Sequence, residues 1–300
     1  MKMFEKLIAS QIKKQEATLE KWLVKHDKAN PFTHEKVTLQ KNVNFLGEDS
    51  DLGTDVFIPK TINENEKLPI LIDIHGGGYL LGKKEANSLF CAYMAQKGFV
   101  VFCPEYPLAP EKNFFEILSY LTATINAISA KAAEYGADGE RLYLCGDSAG
   151  AHLCLYLAAI KANKEVEKAA KISPINAKIT ALALQSGMFY TTKFDQIGMF
   201  LPKLLYGKAW KKSPFFPYIN PENTAITASL PPTILITAKG DFLRHYTVKF
   251  SKALLKANVK TELVDINKIK LPHAFAAMLP ENEHSVCAND LTAKFLLENN

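Results

Sequence analysis

Apolar side chains return at helical spacing at the start of the chain, at Phe4, Leu7, Ile8, Ile12, Leu19, Trp22 and Leu23, with lysines and glutamates opposite. The pattern predicts an amphipathic first helix ended by Asn30-Pro31. Its apolar face must cover something. Docking onto its own domain is the commoner use of such a stripe, and a membrane surface is the alternative. Short β-branched runs bounded by turn residues follow. They predict strands over 43–47, 54–58, 69–74, 99–103, 142–145, 179–184, 233–238 and 262–266. Helical patterns over 86–96, 114–135, 149–163, 248–257 and 286–297 separate most strands from the third onward. That alternation predicts a mainly parallel sheet covered on both faces, with the first two strands as an antiparallel edge pair.

One segment breaks the rhythm. Between Gly187 and Leu230 the chain crowds aromatics and prolines, among them Phe189, Tyr190, Phe200, Trp210, Phe215 and Pro217. It is too long for a simple loop and too irregular for the sheet. Such a stretch inside a compact domain is usually a functional cover or binding insertion. An ordinary pair of packing helices is the plainer alternative.

The 300 residues, 48% of them hydrophobic, suffice for one large α/β domain with insertions, and the length also admits two small ones. A net charge of +5 is spread over scattered lysines, with no run long enough for a nucleic-acid stripe. The five cysteines, at 91, 103, 145, 154 and 287, form no C-x-x-C pair and mostly sit in apolar runs, as suits a reducing compartment. The first 26 residues lack the continuous apolar core of a signal peptide, and no apolar stretch reaches bilayer-spanning length. A cytoplasmic enzyme is the expectation, without nucleic-acid partners or stable membrane insertion.

The strongest chemical signal is Gly146-Asp147-Ser148-Ala149-Gly150, between a predicted strand and a predicted helix. A sharp strand-to-helix turn exposes a serine oxygen at a helix N-terminus, and its close backbone contacts tolerate only small flanking residues. The helix N-terminus favours the negative charge that develops on attack. Alone the pentapeptide is weak, because glycine-rich turns produce it by chance. A second signal, His75-Gly76-Gly77-Gly78-Tyr79, follows the third predicted strand. Glycines leave backbone N–H groups unshielded, and each such donor to an oxyanion is typically worth roughly 3 kcal/mol of transition-state stabilisation. The N–H groups of Gly77, Gly78 and Ala149 are the candidate oxyanion hole. No phosphate-loop or dinucleotide fingerprint occurs. His75 itself reads as a structural hydrogen-bonding residue.

Asp241 follows the seventh predicted strand and His273 the eighth. The order Ser148, Asp241, His273 is nucleophile, acid, base, as in the α/β-hydrolase order. His245 and His284 are rival bases and Asp265 a rival acid. The aromatic residues Tyr79, Phe189 and Phe215 are candidate substrate contacts. No metal or organic cofactor is called for.

These motifs resemble the hormone-sensitive-lipase-like branch of the α/β-hydrolases, which includes bacterial carboxylesterases and acetyl esterases. The resemblance runs from about Leu68 to Phe275 and includes HGGGY at His75, Glu105-Tyr106 with Leu108-Ala109-Pro110-Glu111, GDSAG at Gly146, Leu230-Pro231-Pro232, Gly240-Asp241 with Leu243-Arg244, and His273-Ala274-Phe275. It implies an α/β-hydrolase fold with an eight-stranded, mostly parallel sheet. It also implies a small helical cap, from residues 1–40 and from an insertion at about 187–225 of the catalytic domain over 41–300. The implied activity is hydrolysis of short-chain acyl esters through an acyl-enzyme, with a small-molecule ester as partner; a homodimer is allowed. An amidase, peptidase or deacetylase using the same triad is the alternative, and a non-catalytic ligand-binding member the next. The sequence departs from the family pattern at Pro107, at Ala151-His152, at Leu271-Pro272 and at His245-Tyr246.

Overall fold

The computed structural model describes residues 17–18, 20–22, 24–25, 36–47, 52–61 and 67–299. Eight strands form one sheet in the order β1-β2-β4-β3-β5-β6-β7-β8. They are β1 (Val37–Val43), β2 (Thr54–Pro59), β3 (Leu68–Ile74), β4 (Val100–Pro104), β5 (Ala137–Asp147), β6 (Ile179–Gln185), β7 (Thr233–Ala238) and β8 (Thr261–Ile266). β2 runs antiparallel to both β1 and β4, and every later pairing is parallel. The predicted edge pair is therefore present, and the sheet is the mostly parallel one the alternation required.

Alternate side chains of the central strands feed two cores. Ile70, Ile72 and Ile74 face one side with Leu142, Leu144, Leu182 and Leu184. There they meet α2 (Phe114–Lys131), α3 (Ala149–Ala162) and α7 (Arg244–Lys256). Leu71, Val101, Cys103, Tyr143 and Cys145 face the other, against α1 (Ser88–Ala95), α8 (Phe275–Met278) and α9 (Glu283–Glu298). A sheet buried on both faces explains why its strands read as near-continuous apolar runs.

Several boundaries differ from the sequence reading, three of them with a readable cause. β1 lies at 37–43 and not 43–47, because this edge strand buries Val37 alone and turns Gln40 and Lys41 to solvent. β5 begins five residues early, at Ala137, through a polar stretch that carries no strand pattern. α2 gives way to a 3-10 turn over Ala132–Tyr135, closed by the left-handed Gly136 (φ 72°). Its start is fixed by a capping box, in which Asn113 accepts from Phe115 and Glu116 N–H while Glu116 reaches back to Asn113 N–H.

The short α4 (Lys164–Ala170) precedes β6, and the insertion after β6 carries α5 (Gln196–Tyr206) and the short α6 (Thr224–Thr227). Residues 17–18, 20–22 and 24–25 are helical, whereas Phe4, Leu7, Ile8, Ile12, Leu19 and Leu23 of the predicted stripe lie outside the described residues. Among the described residues no helix is long and apolar enough to cross a membrane.

α3 crosses β3 so closely that a Cβ on Gly150 would stand 1.8 Å from the Ile74 carbonyl oxygen. Gly150→Ala is expected to cost about 3 kcal/mol through this overlap, read as a lowered urea midpoint at unchanged m-value. An unaltered midpoint would show that the helix can back away.

Candidate active site

β5 ends at Asp147 and α3 starts at Ala149, so Ser148 makes the whole turn between them. Its backbone sits at φ 52°, ψ −113°, a region that a non-glycine residue enters at a cost of about 1–3 kcal/mol. Two bonds fasten it there. Ser148 N–H donates to Gln185 O at 2.9 Å, and Met188 N–H donates to Ser148 O at 3.0 Å. Gly146 and Gly150 face each other across the turn and leave no room for a Cβ on either.

Asp241 lies in the turn after β7 and is almost wholly buried. Its carboxylate accepts from His273 Nδ1 at 2.6 Å, from Leu243 N–H at 2.8 Å and from Thr237 Oγ1 at 2.9 Å. Burial alone would raise its pKa. The bond and charge of His273, helped by Leu243 N–H and the Ser186 hydroxyl, outweigh burial and hold it below the ordinary aspartate value. With Nδ1 committed to Asp241, Nε2 is the ring nitrogen left for the cavity that His273 and Ser148 both line. The His273 ring also lies against Phe242, centroids 4.4 Å apart. Gly240 lets this turn approach the Leu271 carbonyl, since a Cβ there would be 2.3 Å from that oxygen. Ser186 Oγ accepts Ala274 N–H at 3.0 Å, which ties the histidine loop to the end of β6.

The glycine loop follows β3. Gly77 and Gly78 take left-handed φ values of 122° and 64°. Among the described residues, no hydrogen bond uses the N–H of Gly77, Gly78 or Ala149, and Gly77, Gly78 and Ser148 border the same cavity. The loop is braced from behind. Gly76 N–H donates to Asp147 Oδ1 at 2.8 Å, and Tyr106 OH donates to the His75 carbonyl at 2.8 Å. His75 stacks on Tyr106 and bonds Glu105 Oε1 through Nε2 at 2.8 Å. Burial opposes charge on this imidazole, but the bond and charge of Glu105 prevail and raise its pKa. Glu105 is lowered correspondingly, against its own burial.

The cavity has a volume of about 720 Å³. Lys83 and Asn87 also border it, and the rest of its wall is mainly apolar, from Met188, Phe242, Leu243 and Met278 of the domain. Thr18 and Trp22 from the N-terminal helical residues, and Ile197, Phe200 and Leu201 from α5, complete it.

The three expected substrate contacts lie elsewhere. Tyr79, Phe189 and Phe215 are fully buried and do not line the cavity. The left-handed backbone of Tyr79 (φ 70°) turns its ring inward, where its hydroxyl donates to His152 Nδ1. Burial pulls the His152 pKa down to about 3, so this ring is neutral and accepts. Phe189 packs at a tilt against Phe250, and Phe215 joins Phe114, Phe115 and Tyr156 in an aromatic cluster. The rival residues are also engaged away from the cavity: Asp265 in a two-pronged pair with Arg244, His284 beside Glu283, and His245 against Tyr246. The sequence reading missed Asn87, Glu105, Tyr106 and Ser186 as supports of the site. Glu105-Tyr106 stood among its motifs without a role, and nothing local marked Asn87 or Ser186.

Among the described residues, Asp73, Cys91 and Cys103 are the side chains whose donor atoms lie close enough together to suggest a metal ion. They sit in the core below the site, where burial pushes the Cys91 thiol well up. The Cys91 thiol works to lower Cys103, but burial and nearby carboxylates carry it to about 12. Both are therefore protonated thiols in this structure.

A family model for the α/β-hydrolase fold matches residues 71–277. The chain belongs to the α/β-hydrolase family. Within it, the motifs and relatives place it in the hormone-sensitive-lipase-like branch. A probable isoprenylcysteine alpha-carbonyl methylesterase of Arabidopsis thaliana is 25% identical over 221 residues, covering 70% of this chain and 46% of that protein. The carboxylesterase NlhH of Mycobacterium tuberculosis is 26% identical over 222 residues, covering 71% and 68%. The chain thus spans about half the length of the plant relative. In structure, esterase B of Lactobacillus rhamnosis superimposes with a TM-score of 0.85 at 21% identity, covering 98% of this chain and 95% of that one.

The His75–Glu105 pair generates a pH prediction. Its contribution is full below the unfolded histidine pKa and is lost as pH rises through the higher folded one. Glu105→Gln is expected to cost about 3 kcal/mol and to lower the His75 pKa, because burial is then opposed only by the Gly76 carbonyl bond and the Asp147 charge. NMR titration of His75 checks the second outcome; an unchanged midpoint would contradict the pairing.

Proposed function

We propose that the protein is a serine carboxylesterase that hydrolyses short-chain acyl esters. The observation that carries this reading is the convergence of Ser148, held in a strained turn, and an Asp241-oriented His273 on one apolar cavity bordered by unused backbone N–H groups.

In this reading His273 Nε2 takes the Ser148 proton as Oγ attacks the ester carbonyl. The tetrahedral oxyanion is held by the N–H groups of Gly77, Gly78 and Ala149. The alcohol leaves with the proton from His273 and the acyl group remains on Ser148. Water, deprotonated by His273, then attacks the acyl-enzyme, and the collapse releases the acid and restores the hydroxyl. Asp241 fixes the tautomer and steadies the imidazolium. The relatives named as carboxylesterase and methylesterase support ester chemistry. The N-terminal helical residues and α5 act as a small cap, and the apolar wall they complete favours an acyl group from acetyl to hexanoyl.

Ser148→Ala is expected to lower kcat by about 10⁴-fold or more and to abolish labelling by a fluorophosphonate probe, with the fold unchanged by circular dichroism. A variant that keeps most of its turnover removes Ser148 as the nucleophile. With p-nitrophenyl esters of increasing length, kcat/KM is expected to peak between acetyl and hexanoyl; a maximum at long chains would reject the short-acyl assignment.

A further inference from the structure

Behind the glycine loop, three buried polar side chains form a row in which acceptors outnumber donors. Asn87 Nδ2 donates to Asp73 Oδ2 at 2.8 Å and to Asp147 Oδ1 at 3.0 Å. Asp147 Oδ1 also receives Gly76 N–H at 2.8 Å, so the row ends on the loop that carries Gly77 and Gly78. Both amide protons of Asn87 are thereby spent. Two buried oxygens remain without any partner, Asp73 Oδ1 and Asn87 Oδ1. Each is an acceptor if Asp73 is ionised, so neither can serve the other. Exchanging the amide oxygen and nitrogen of Asn87 does not help, because the oxygen would then face two carboxyl groups.

A single proton resolves the count. The two orphan oxygens belong to the two groups already joined by the Nδ2–H···Oδ2 bond. An amide and a neutral carboxylic acid side by side can close a ring of two complementary hydrogen bonds. We propose that Asp73 is held as a neutral carboxylic acid whose proton is offered to Asn87 Oδ1. This acid–amide pair acts as a positioning element that orients Asn87, Asp147 and the glycine loop.

The surroundings favour the neutral form. Asp73 points into the apolar face of the sheet. Cys91 from α1 and Cys103 from β4 offer only weak S–H donors, at 3.5 and 3.7 Å from Oδ2. Cys145 stands opposite on β5. The charged groups in range are Asp147 on β5, which repels a second carboxylate, and His75 just past the end of β3, already paired with Glu105. Among the described residues no lysine or arginine forms an ion pair with Asp73. Burial raises its pKa, the Asn87 bond works against that, and the Asp147 charge adds to it, for a result of about 7. Above that value two like charges share one amide and the loop loses its brace.

The effect on stability has a definite sign. The carboxyl binds its proton more tightly folded than unfolded. Stability therefore declines as pH rises from the unfolded value of 3.8 to about 7 and levels off beyond. The positioning role rests on the esterase reading, whereas the protonation state does not.

The test compares the wild type with Asp73→Asn, whose amide reproduces a neutral acid in shape and donor, and with Asp73→Leu, which leaves Asn87 with Asp147 as its one partner. Wild-type protein at pH 6 is expected to show the infrared carbonyl stretch of a neutral carboxylic acid, fading through neutral pH and missing from Asp73→Asn. The wild-type folding equilibrium should fall relative to Asp73→Asn by about tenfold per pH unit across that window. In ester turnover, kcat of the wild type should drop by one proton on the alkaline side. Asp73→Asn should abolish that drop, and Asp73→Leu should lower kcat at every pH with little change in KM. Absence of the infrared band overturns the protonation state even if no ester is turned over. An Asp73→Asn protein that unfolds, or that keeps the alkaline drop, overturns the positioning role.

Discussion

The left-handed backbone of Ser148 is the constraint on which the rest of the molecule depends. A free chain would relax it at once. It persists because β6 takes its N–H, Met188 donates to its carbonyl, and α3 presses on β3 with no side chain between them. Those bonds require β5, β6 and β3 to lie in one register with α3 directly above. The sheet, the glycines at 146 and 150 and the buried apolar faces are thus several parts of one device for holding a hydroxyl in an unfavourable place. The strain is local, and the packing that sustains it spreads over both cores.

Each of the other site groups is held in a comparable way, by a polar contact reaching across strand ends. Asp241 is kept ionised by donors from three directions, and His273 is aimed by it. The glycine loop is fixed by Asp147, one residue before Ser148 in sequence, so the Ser148 turn and the loop share an anchor. A shift in one would reach the other through a single side chain.

Much of this was legible beforehand. β7 and β8 announced themselves as apolar runs between turn residues, and the fixed order of Ser148, Asp241 and His273 named the groups that meet at the cavity or pair beside it. What stayed hidden has physical reasons. β1 is an edge strand with one buried face end, so its pattern was too weak to outweigh the apolar residues just after it. Asn87 and Ser186 work through partners about 60 and 90 residues away, and no local period records such a bond. Tyr79 adjoins the glycine loop, a place that suggests a substrate contact, but its φ decides which way the ring turns. Phe189 and Phe215 lie in the insertion the sequence marked as unusual, yet aromatic content alone does not separate a wall facing a cavity from one facing the core.

The insertion between β6 and β7 leaves and rejoins the sheet at strands that pair directly with each other, Leu182 beside Thr233 through Gln185 beside Ile236. Its near end is clasped by Lys193, whose ammonium lies over the rings of Tyr190 and Tyr246 at 4.6 and 4.7 Å. Material gained or lost beyond that clasp changes the length of a detour without breaking a strand pair or moving the Asp241–His273 pair. Such an arrangement uncouples the size and make-up of the cover from the geometry beneath it, so either can change while the other stands still.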